Sequence, residues 1–314
     1  MLIKSYEDVP IWDEIPKLLP EKNRINKINK PDEVFWNWGN SEIHLDYYKN
    51  TDSKVKVILL HGVGGNGRLL SFIGVPLHKH GYEVIAPDLP GYGISKISEV
   101  VSYQHWVQLV NDLIIFERQK DDRPVVLFGL SAGGMLAYHA ACINKKVSGL
   151  IVTNILDQRV QEVRDGSAAN KYISRIGVPV LTALSHINDR IKLPMKAIAN
   201  MNAIVNNDRL LKLLIKDKNS SGASVPLRFL ISLINAAPAI EPESFTICPL
   251  LMVHPEKDRW TPLKLSKLFY DRLKCQKHLV MLENAGHFPI ENPGLEQLEQ
   301  AVVSFLRTSQ RTVP

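Results

Sequence analysis

Short apolar runs of strand length alternate with helical segments along much of the sequence, and this alternation restricts the possible folds most strongly. Residues 55–62, 83–87 and 124–129 are such runs, each ending in Gly or Pro. Between the second and the third, residues 105–119 place apolar side chains at helical spacing. Continuous apolar strands are typical of a parallel sheet that helices cover on both faces. The sequence therefore predicts an α/β fold.

The pattern extends beyond these segments in both directions. Residues 42–48 alternate apolar and polar side chains, as a half-buried strand does, and residues 67–81 predict a helix that Pro76 interrupts. We also predict strands at 147–154, 248–255 and 277–287, and helices at 132–143, 261–273 and 292–308. In the helix at 261–273, Thr261 is the expected N-cap and Pro262 the expected first helical residue.

The alternation stops between residues 158 and 245, where helical patterns at 206–217 and 225–237 replace the buried strands. The helix at 225–237 is apolar nearly all round, which favours a position between two layers; a pocket wall or a transient contact with a lipid surface are the alternatives. We therefore predict four parts, which are an N-terminal arm (1–41), the first part of the α/β core (42–157), a helical cap insertion (158–245) and the second part of the core (246–314).

Composition excludes several classes of protein. The 314 residues carry a net charge of +6, but no segment interleaves aromatic and basic residues as a nucleic-acid-binding surface does. Three widely spaced cysteines form neither a disulfide framework nor a CxxC metal site. The N-terminal residues lack the apolar stretch of a signal peptide, and no apolar run reaches the ~18–20 residues that span a bilayer. These features predict a cytoplasmic protein that binds no nucleic acid.

The stretch GLSAGG (129–134) joins a predicted strand to a predicted helix. A sharp turn at this position would force Ser131 into a strained backbone conformation, which only small neighbours such as Gly129 and Gly133 allow. The serine hydroxyl would then project beyond the end of the sheet, next to the N–H groups of a helix N-terminus. This is the nucleophile-elbow arrangement, and it predicts that Ser131 is a catalytic nucleophile.

A serine nucleophile needs a general base and an acid that orients the base, which follow it in the order Asp or Glu, then His. Asp258 lies a few residues past one predicted strand, and His287 lies just past the last one. The carboxyl ends of parallel strands share one edge of a sheet, where ligands bind in open α/β sheets. The predicted triad is therefore Ser131, Asp258 and His287, with Asp157 and then Glu256 as alternative acids.

An oxyanion hole needs two backbone N–H donors. The residue after the nucleophile, Ala132, should supply one of them. The glycine-rich stretch HGVGGNG (61–67) follows another strand, so Val63 is the expected second donor and Gly64 the next candidate. His61 is expected to hold this loop by hydrogen bonds rather than to act as a base.

The segments HGVGG, DLPGYG (88–93), GLSAGG, the Asp258 loop and NAGH (284–287) occur in the order that they have in the α/β-hydrolase superfamily, which the chain resembles from about residue 55 to 308. The resemblance implies a mostly parallel eight-stranded sheet, a cap after the sixth strand, no cofactor and no metal, and hydrolysis through an acyl-enzyme. It also implies a structural role for Asp88. The sequence HGVGG departs from the HGGG motif of one esterase and lipase group.

Among members of this superfamily, Ser131 excludes haloalkane dehalogenases and epoxide hydrolases, which carry Asp at the elbow. The cap is rich in Leu, Ile, Ala and Met, including Met195 and Met201, which favours an acyl chain or a small hydrophobic ester as the substrate. The expected activity is that of a carboxylesterase or lipase. Hydrolysis of an amide, lactone, thioester or carbon–carbon bond, acyl transfer, and ligand binding without catalysis remain alternatives.

Overall fold

Eight strands form the main sheet of the protein, whose computed structural model describes residues 3–177, 180 and 191–309. They are β1 (Asp32–Trp38), β2 (Ser41–Tyr48), β3 (Lys56–Leu60), β4 (Glu83–Pro87), β5 (Val125–Gly129), β6 (Val147–Val152), β9 (Leu250–Pro255) and β10 (Lys277–Leu282). Their order in the sheet is β1-β2-β4-β3-β5-β6-β9-β10. The pairs β1–β2 and β2–β4 are antiparallel and the other five neighbouring pairs are parallel. The predicted mostly parallel eight-stranded sheet is confirmed.

Helices connect these strands. They are α1 (Ile15–Leu18), α2 (Ser71–Lys79), α3 (Tyr103–Lys120), α4 (Ala132–Asn144), α5 (Gln161–Ser167), α6 (Met195–Ile198), α7 (Asp208–Lys216), α8 (Leu227–Ile234), α9 (Leu263–Tyr270) and α10 (Gly294–Ser309). Every residue of β3, β4, β5 and β9 is buried, as expected for parallel strands with both faces covered. The sheet core therefore holds the loops at its carboxyl edge in place.

The N-terminal arm is shorter than the predicted residues 1–41, because residues 32–38 form β1 at the edge of the main sheet. The side chains of β1 are exposed or only partly buried. The sequence of this strand accordingly lacks the continuous apolar run that marks the central strands. Its seven residues pair antiparallel with β2, from Asp32 opposite Tyr47 to Trp38 opposite Ser41. Strand β1 can therefore be identified only from its pairing with β2 in the folded chain.

Helix α2 passes through Pro76, although the sequence predicted an interruption there. A proline inside a helix leaves the carbonyl four residues earlier without its helical donor. Here that carbonyl belongs to Phe72, and the Asn23 side-chain amide donates a buried hydrogen bond to it over 2.7 Å. The N-terminal arm therefore compensates for the proline and allows the helix to continue.

The segment between β6 and β9 contains short helices, as predicted, and also a two-stranded antiparallel sheet of β7 (Lys192–Pro194) and β8 (Ser224–Pro226). The sequence did not predict these strands, since three residues are too few to show a period. Helix α8 in this segment buries Leu227, Phe229 and Ile234. No helix in the described part of the chain is long and apolar enough to cross a membrane.

Candidate active site

Three loops at the carboxyl edge of the sheet bring together the residues of the predicted triad. Ser131 follows β5, Asp258 follows β9 and His287 follows β10. The imidazole Nε2 of His287 lies 2.8 Å from Ser131 Oγ, and its Nδ1 lies 2.8 Å from Asp258 Oδ2. Both distances are within the range of strong hydrogen bonds, so the three side chains form one continuous relay.

The backbone at Ser131 has the strained form that the sequence predicted. Its φ of 57° and ψ of −125° lie in a region that residues with a side chain rarely adopt. A Cβ at Gly129 would come within 2.0 Å of the Gly133 carbonyl oxygen, so only glycine fits there. The Ser131 N–H donates to Thr153 Oγ1 over 2.9 Å and fixes the turn against the end of β6.

Asp258 is buried among hydrogen-bond donors. Its Oδ1 accepts the backbone N–H groups of Trp260 and Thr261 at 2.9 and 2.8 Å. Burial alone would raise the pKa of this carboxyl group, but the nearby charge and hydrogen bond of His287 and the two N–H donors hold the pKa well below its usual range. Asp258 is therefore ionised at neutral pH and can orient the imidazole.

Three residues that the sequence analysis did not place in the site surround this pair. The Thr261 hydroxyl donates to Asp258 Oδ2 over 2.9 Å and lies 3.2 Å from His287 Nδ1. The Asn154 amide reaches Thr261 Oγ1 at 3.0 Å, and the Trp260 ring lies 4.8 Å from the His287 ring. The prediction of Thr261 as the N-cap of α9 is wrong, because Pro262 takes that position and the hydroxyl faces the carboxylate.

Both expected oxyanion donors border the same cavity as Ser131. Ala132 is the first residue of α4, and Val63 lies in the loop after β3. In the described part of the chain, neither N–H donates to another residue, so both are free to bind an oxyanion. A Cβ at Gly62 would lie 2.9 Å from Ser131 Cβ, and its absence lets this loop approach the serine.

His61 holds the loop after β3 by hydrogen bonds, as expected. Its Nδ1 contacts the Gly62 carbonyl oxygen at 2.8 Å, and its Nε2 accepts the Leu89 N–H over 2.9 Å. Burial lowers the pKa of His61 to about 4, so the ring is neutral at pH 7. Gly64 is the alternative residue for the second oxyanion donor. Its carbonyl oxygen accepts a hydrogen bond from the Ser221 hydroxyl over 2.9 Å.

The two alternative acids, Asp157 and Glu256, and Asp88, which was expected to be structural, have other partners. Asp157 forms an ion pair with Arg159 at 2.7 Å, and Glu256 accepts the backbone N–H of Asn284. Asp88 lies in the core, where its carboxylate accepts the backbone N–H groups of Gly67 and Ile94. None of these three carboxylates bonds to His287, in contrast to Asp258.

The cavity beside Ser131 lies between the sheet and the segment that joins β6 to β9. Apolar side chains form most of its wall, among them Met135 of α4, Leu156, Met195, and Phe229 and Leu233 of α8. The predicted cap methionine Met195 therefore borders the site, whereas Met201 is buried beside Gly64. Helix α8 faces the cavity, and its contact with a lipid surface stays a prediction.

The described residues contain no group of three or more His, Cys, Asp or Glu side chains that could hold a metal ion. The site is thus a serine, a histidine and a carboxylate in a relay, with two free N–H groups and an apolar cavity beside them. Such an arrangement can perform nucleophilic acyl chemistry.

Comparisons with known proteins identify the family and the fold of this chain. A family model described as serine aminopeptidase, S33, matches residues 51–293. A pimeloyl-[acyl-carrier protein] methyl ester esterase from Neisseria meningitidis is 25% identical over 241 residues, which are 76% of this chain and 72% of that protein.

Two solved lipases share the fold. A monoglyceride lipase from Saccharomyces cerevisiae, solved with a substrate analogue, matches with a TM-score of 0.73 and 16% identity over 90% of this chain and 97% of that one. A monoacylglycerol lipase from Paleococcus ferrophilus matches with a TM-score of 0.65 and 20% identity over 85% and 99% of the two chains.

Proposed function

Because this chain belongs to the serine aminopeptidase S33 family of α/β-hydrolases, we propose that it is a serine hydrolase that cleaves a carboxylic ester through an acyl-enzyme. The observation that carries the proposal is the unbroken relay from Asp258 through His287 to Ser131, with 2.8 Å at each step. A partly exposed serine, a buried histidine and a buried, ionised aspartate in this order convert a weak hydroxyl into a nucleophile.

The proposed reaction begins when His287 Nε2 takes the proton of Ser131 Oγ as the serine attacks the ester carbonyl carbon. The N–H groups of Val63 and Ala132 bind the oxyanion, and each such donor typically contributes ~2.7–4 kcal/mol of transition-state stabilisation. The protonated His287 then gives its proton to the leaving alcohol. A water molecule, activated by the same nitrogen, releases the acid and restores the serine.

Asp258 remains ionised throughout this cycle. Its hydrogen bond keeps the proton of the neutral imidazole on Nδ1, which leaves Nε2 free to accept the serine proton. It also stabilises the imidazolium that forms when the serine attacks. Thr261 holds the carboxylate from the other side through its hydroxyl.

An apolar cavity favours an ester with a hydrocarbon acyl or alcohol part over a highly polar substrate. The printed names of the similar proteins include a methyl ester esterase and monoglyceride lipases, which act on carboxylic esters. We propose that residues 158–245 form a cap over this cavity and select the substrate. We also propose a reducing, cytoplasmic location, because Cys142, Cys248 and Cys275 are all free.

The test measures the turnover of p-nitrophenyl esters from acetate to decanoate by the full chain and by Ser131→Ala. We expect a burst followed by steady turnover in the wild type, and a loss of kcat of about 10⁶-fold in the variant. Ser304→Ala is the matched control, since this serine is exposed on α10, and it should keep wild-type kinetics.

Turnover by Ser131→Ala at the wild-type rate would overturn the assignment of the nucleophile. A folded wild type that hydrolyses no ester of the series would overturn ester hydrolysis as its activity. Amide, lactone and thioester substrates of the same chain lengths would then be compared in the same assay.

A further inference from the structure

One charged side chain borders the otherwise uncharged cavity beside Ser131. Among the described residues, Arg164 of α5 is the only Lys, Arg, Asp or Glu in the cavity wall. A cation in an apolar cavity is costly unless an anion or several hydrogen bonds compensate for its lost hydration. The position of Arg164 therefore needs an explanation that the triad does not supply.

The described part of the chain supplies no carboxylate for this guanidinium. Arg164 Nη1 donates to the Gln158 carbonyl at 3.2 Å, and Nη2 donates to Gln161 Oε1 at 2.7 Å. Its Nε is buried and has no acceptor among the described residues. Both of its partners are neutral, so its positive charge remains uncompensated there.

The neighbouring arginines of the same segment differ from Arg164 in this respect. Arg159 contacts Asp157 at 2.7 Å and Glu241 at 2.6 Å, and Arg175 contacts Asp165 at 2.7 Å. Acidic side chains thus neutralise Arg159 and Arg175, neither of which borders the cavity. The one that does border it lacks an acidic partner among the described residues.

We propose that Arg164 is an anion subsite of the active-site cavity, and that the protein prefers esters whose far end carries a carboxylate. A guanidinium matches a carboxylate with two parallel hydrogen bonds, and its Nε and Nη groups form such a fork. The apolar wall between Arg164 and Ser131 accommodates the hydrocarbon chain that joins the two groups. This inference rests on the proposed ester hydrolysis and names the substrate class for it.

The probes are methyl monoesters of straight-chain dicarboxylic acids, from succinate to sebacate. Each is paired with the methyl ester of the monocarboxylic acid of equal carbon number. The measured quantity is the ratio of kcat/KM for the acid-ended ester to kcat/KM for its neutral partner, at pH 7. Comparing ratios removes any effect of a substitution on the chemistry that both substrates share.

We expect the wild-type ratio to have a maximum at one chain length. At that length Arg164→Gln should lower the ratio at least about 10-fold, mainly through KM, as the loss of a hydrogen bond to a charged group predicts. Arg164→Lys should give an intermediate ratio, because it keeps the charge and loses the fork. Arg175→Gln is the matched control, since Arg175 is exposed and paired with Asp165, and it should leave the ratio unchanged.

Direct binding gives a second measurement that does not depend on turnover. Calorimetry with Ser131→Ala should detect the preferred monoester, and the double variant Ser131→Ala/Arg164→Gln should bind it at least about 10-fold more weakly. Circular dichroism verifies that each variant is folded.

A ratio that Arg164→Gln leaves unchanged would overturn the anion subsite, as would a wild type that hydrolyses only the neutral esters. Ester hydrolysis itself would survive both results. No turnover of either series by the folded wild type would instead contradict the proposed function. Equal binding by the single and the double variant would also overturn the subsite.

Discussion

Among the described residues, the buried rings of His287 and His44 each have an aspartate at Nδ1, and they differ in what the second ring nitrogen faces. In the candidate active site, Asp258 contacts Nδ1 of His287 at 2.8 Å, and Nε2 faces Ser131 Oγ. In the core next to β2, Asp88 lies 3.1 Å from Nδ1 of His44. There Nε2 faces two more carboxylates, those of Glu33 at 3.2 Å and Asp46 at 3.6 Å.

The second environment keeps His44 protonated at neutral pH. Burial alone would lower the pKa of His44, but the close ion pair with Asp88, the hydrogen bond with Glu33 and the charge of Asp46 raise it to about 10. Such a ring cannot accept a proton from a nucleophile at neutral pH. The comparison indicates that the group at Nε2 decides whether an Asp–His pair can act as a base, and that the pair at His44 can only stabilise the fold.

The largest expected effect is a loss of activity when the carboxylate next to His287 is replaced. Asp258→Asn should lower kcat about 10⁴-fold, because an amide favours the wrong imidazole tautomer, and its fold should persist. Ester turnover measures kcat, and circular dichroism measures whether the variant keeps its fold. A loss of kcat below about 10-fold would mean that Asp258 does not orient the base.

The corresponding substitution in the His44 pair, Asp88→Asn, should lower the stability of the protein. Asp88→Asn removes a buried charge next to His44 and weakens the acceptor of the Tyr6 hydroxyl and the Gly67 N–H. Breaking one partner of a buried ion pair costs about 3–5 kcal/mol. We expect a loss of this size in the free energy of unfolding from urea titrations, while kcat of the folded protein stays within about 10-fold. A stable protein with kcat reduced 10⁴-fold would contradict the separation of roles.

The pH dependence of stability should carry the signature of His44. Its pKa rises from an ordinary 6.5 to about 10 on folding, so between these values the folded state holds a proton that the unfolded chain has released. Raising the pH through this range therefore destabilises the fold, by up to about 1.4 kcal/mol per pH unit. Arg68 and the carboxylates of Glu33, Asp46 and Asp88 are the charged groups that surround the ring.

Urea titrations at pH 7 and pH 9, for the wild type and for His44→Gln, measure this slope. The variant should be less stable at pH 7 and should lose less stability between the two values than the wild type does. Parallel curves for the two proteins would show that His44 is not protonated in the fold.

The smallest expected effect concerns the support of the catalytic pair. Thr261→Val removes the hydroxyl that donates to Asp258 Oδ2, and we expect kcat to fall about 3- to 10-fold, which corresponds to one hydrogen bond of ~1 kcal/mol. Thr261→Ser keeps the donor and should retain most of the activity. Equal kcat values for the valine and serine variants would show that the Thr261 hydroxyl does not support Asp258.

The sequence predicts the first of these pairs and not the second. Ser131, Asp258 and His287 follow strands whose apolar runs are visible in the sequence, and their common edge follows from parallel topology. The contacts around His44 join residues on β1, on β2 and in two later loops. No local pattern relates such positions, so only the folded chain shows that they meet.

The same reason explains the other differences between sequence and structure. Strand β1 is half-exposed at the sheet edge and has no continuous apolar run. Helix α2 continues past Pro76 because Asn23, far away in the sequence, binds the freed carbonyl. Local periodicity therefore indicates the central strands and most helices, whereas an edge strand, a compensated proline and the environment of Arg164 depend on tertiary contacts.

The most direct test of the central claim is labelling of the full chain with a fluorophosphonate, followed by intact mass and peptide mapping. We expect one label per chain on Ser131, and labelling at least about 100-fold slower in His287→Ala, because only an activated serine reacts readily. A folded wild type that takes up no label, or takes it up on another residue, would contradict the proposed triad.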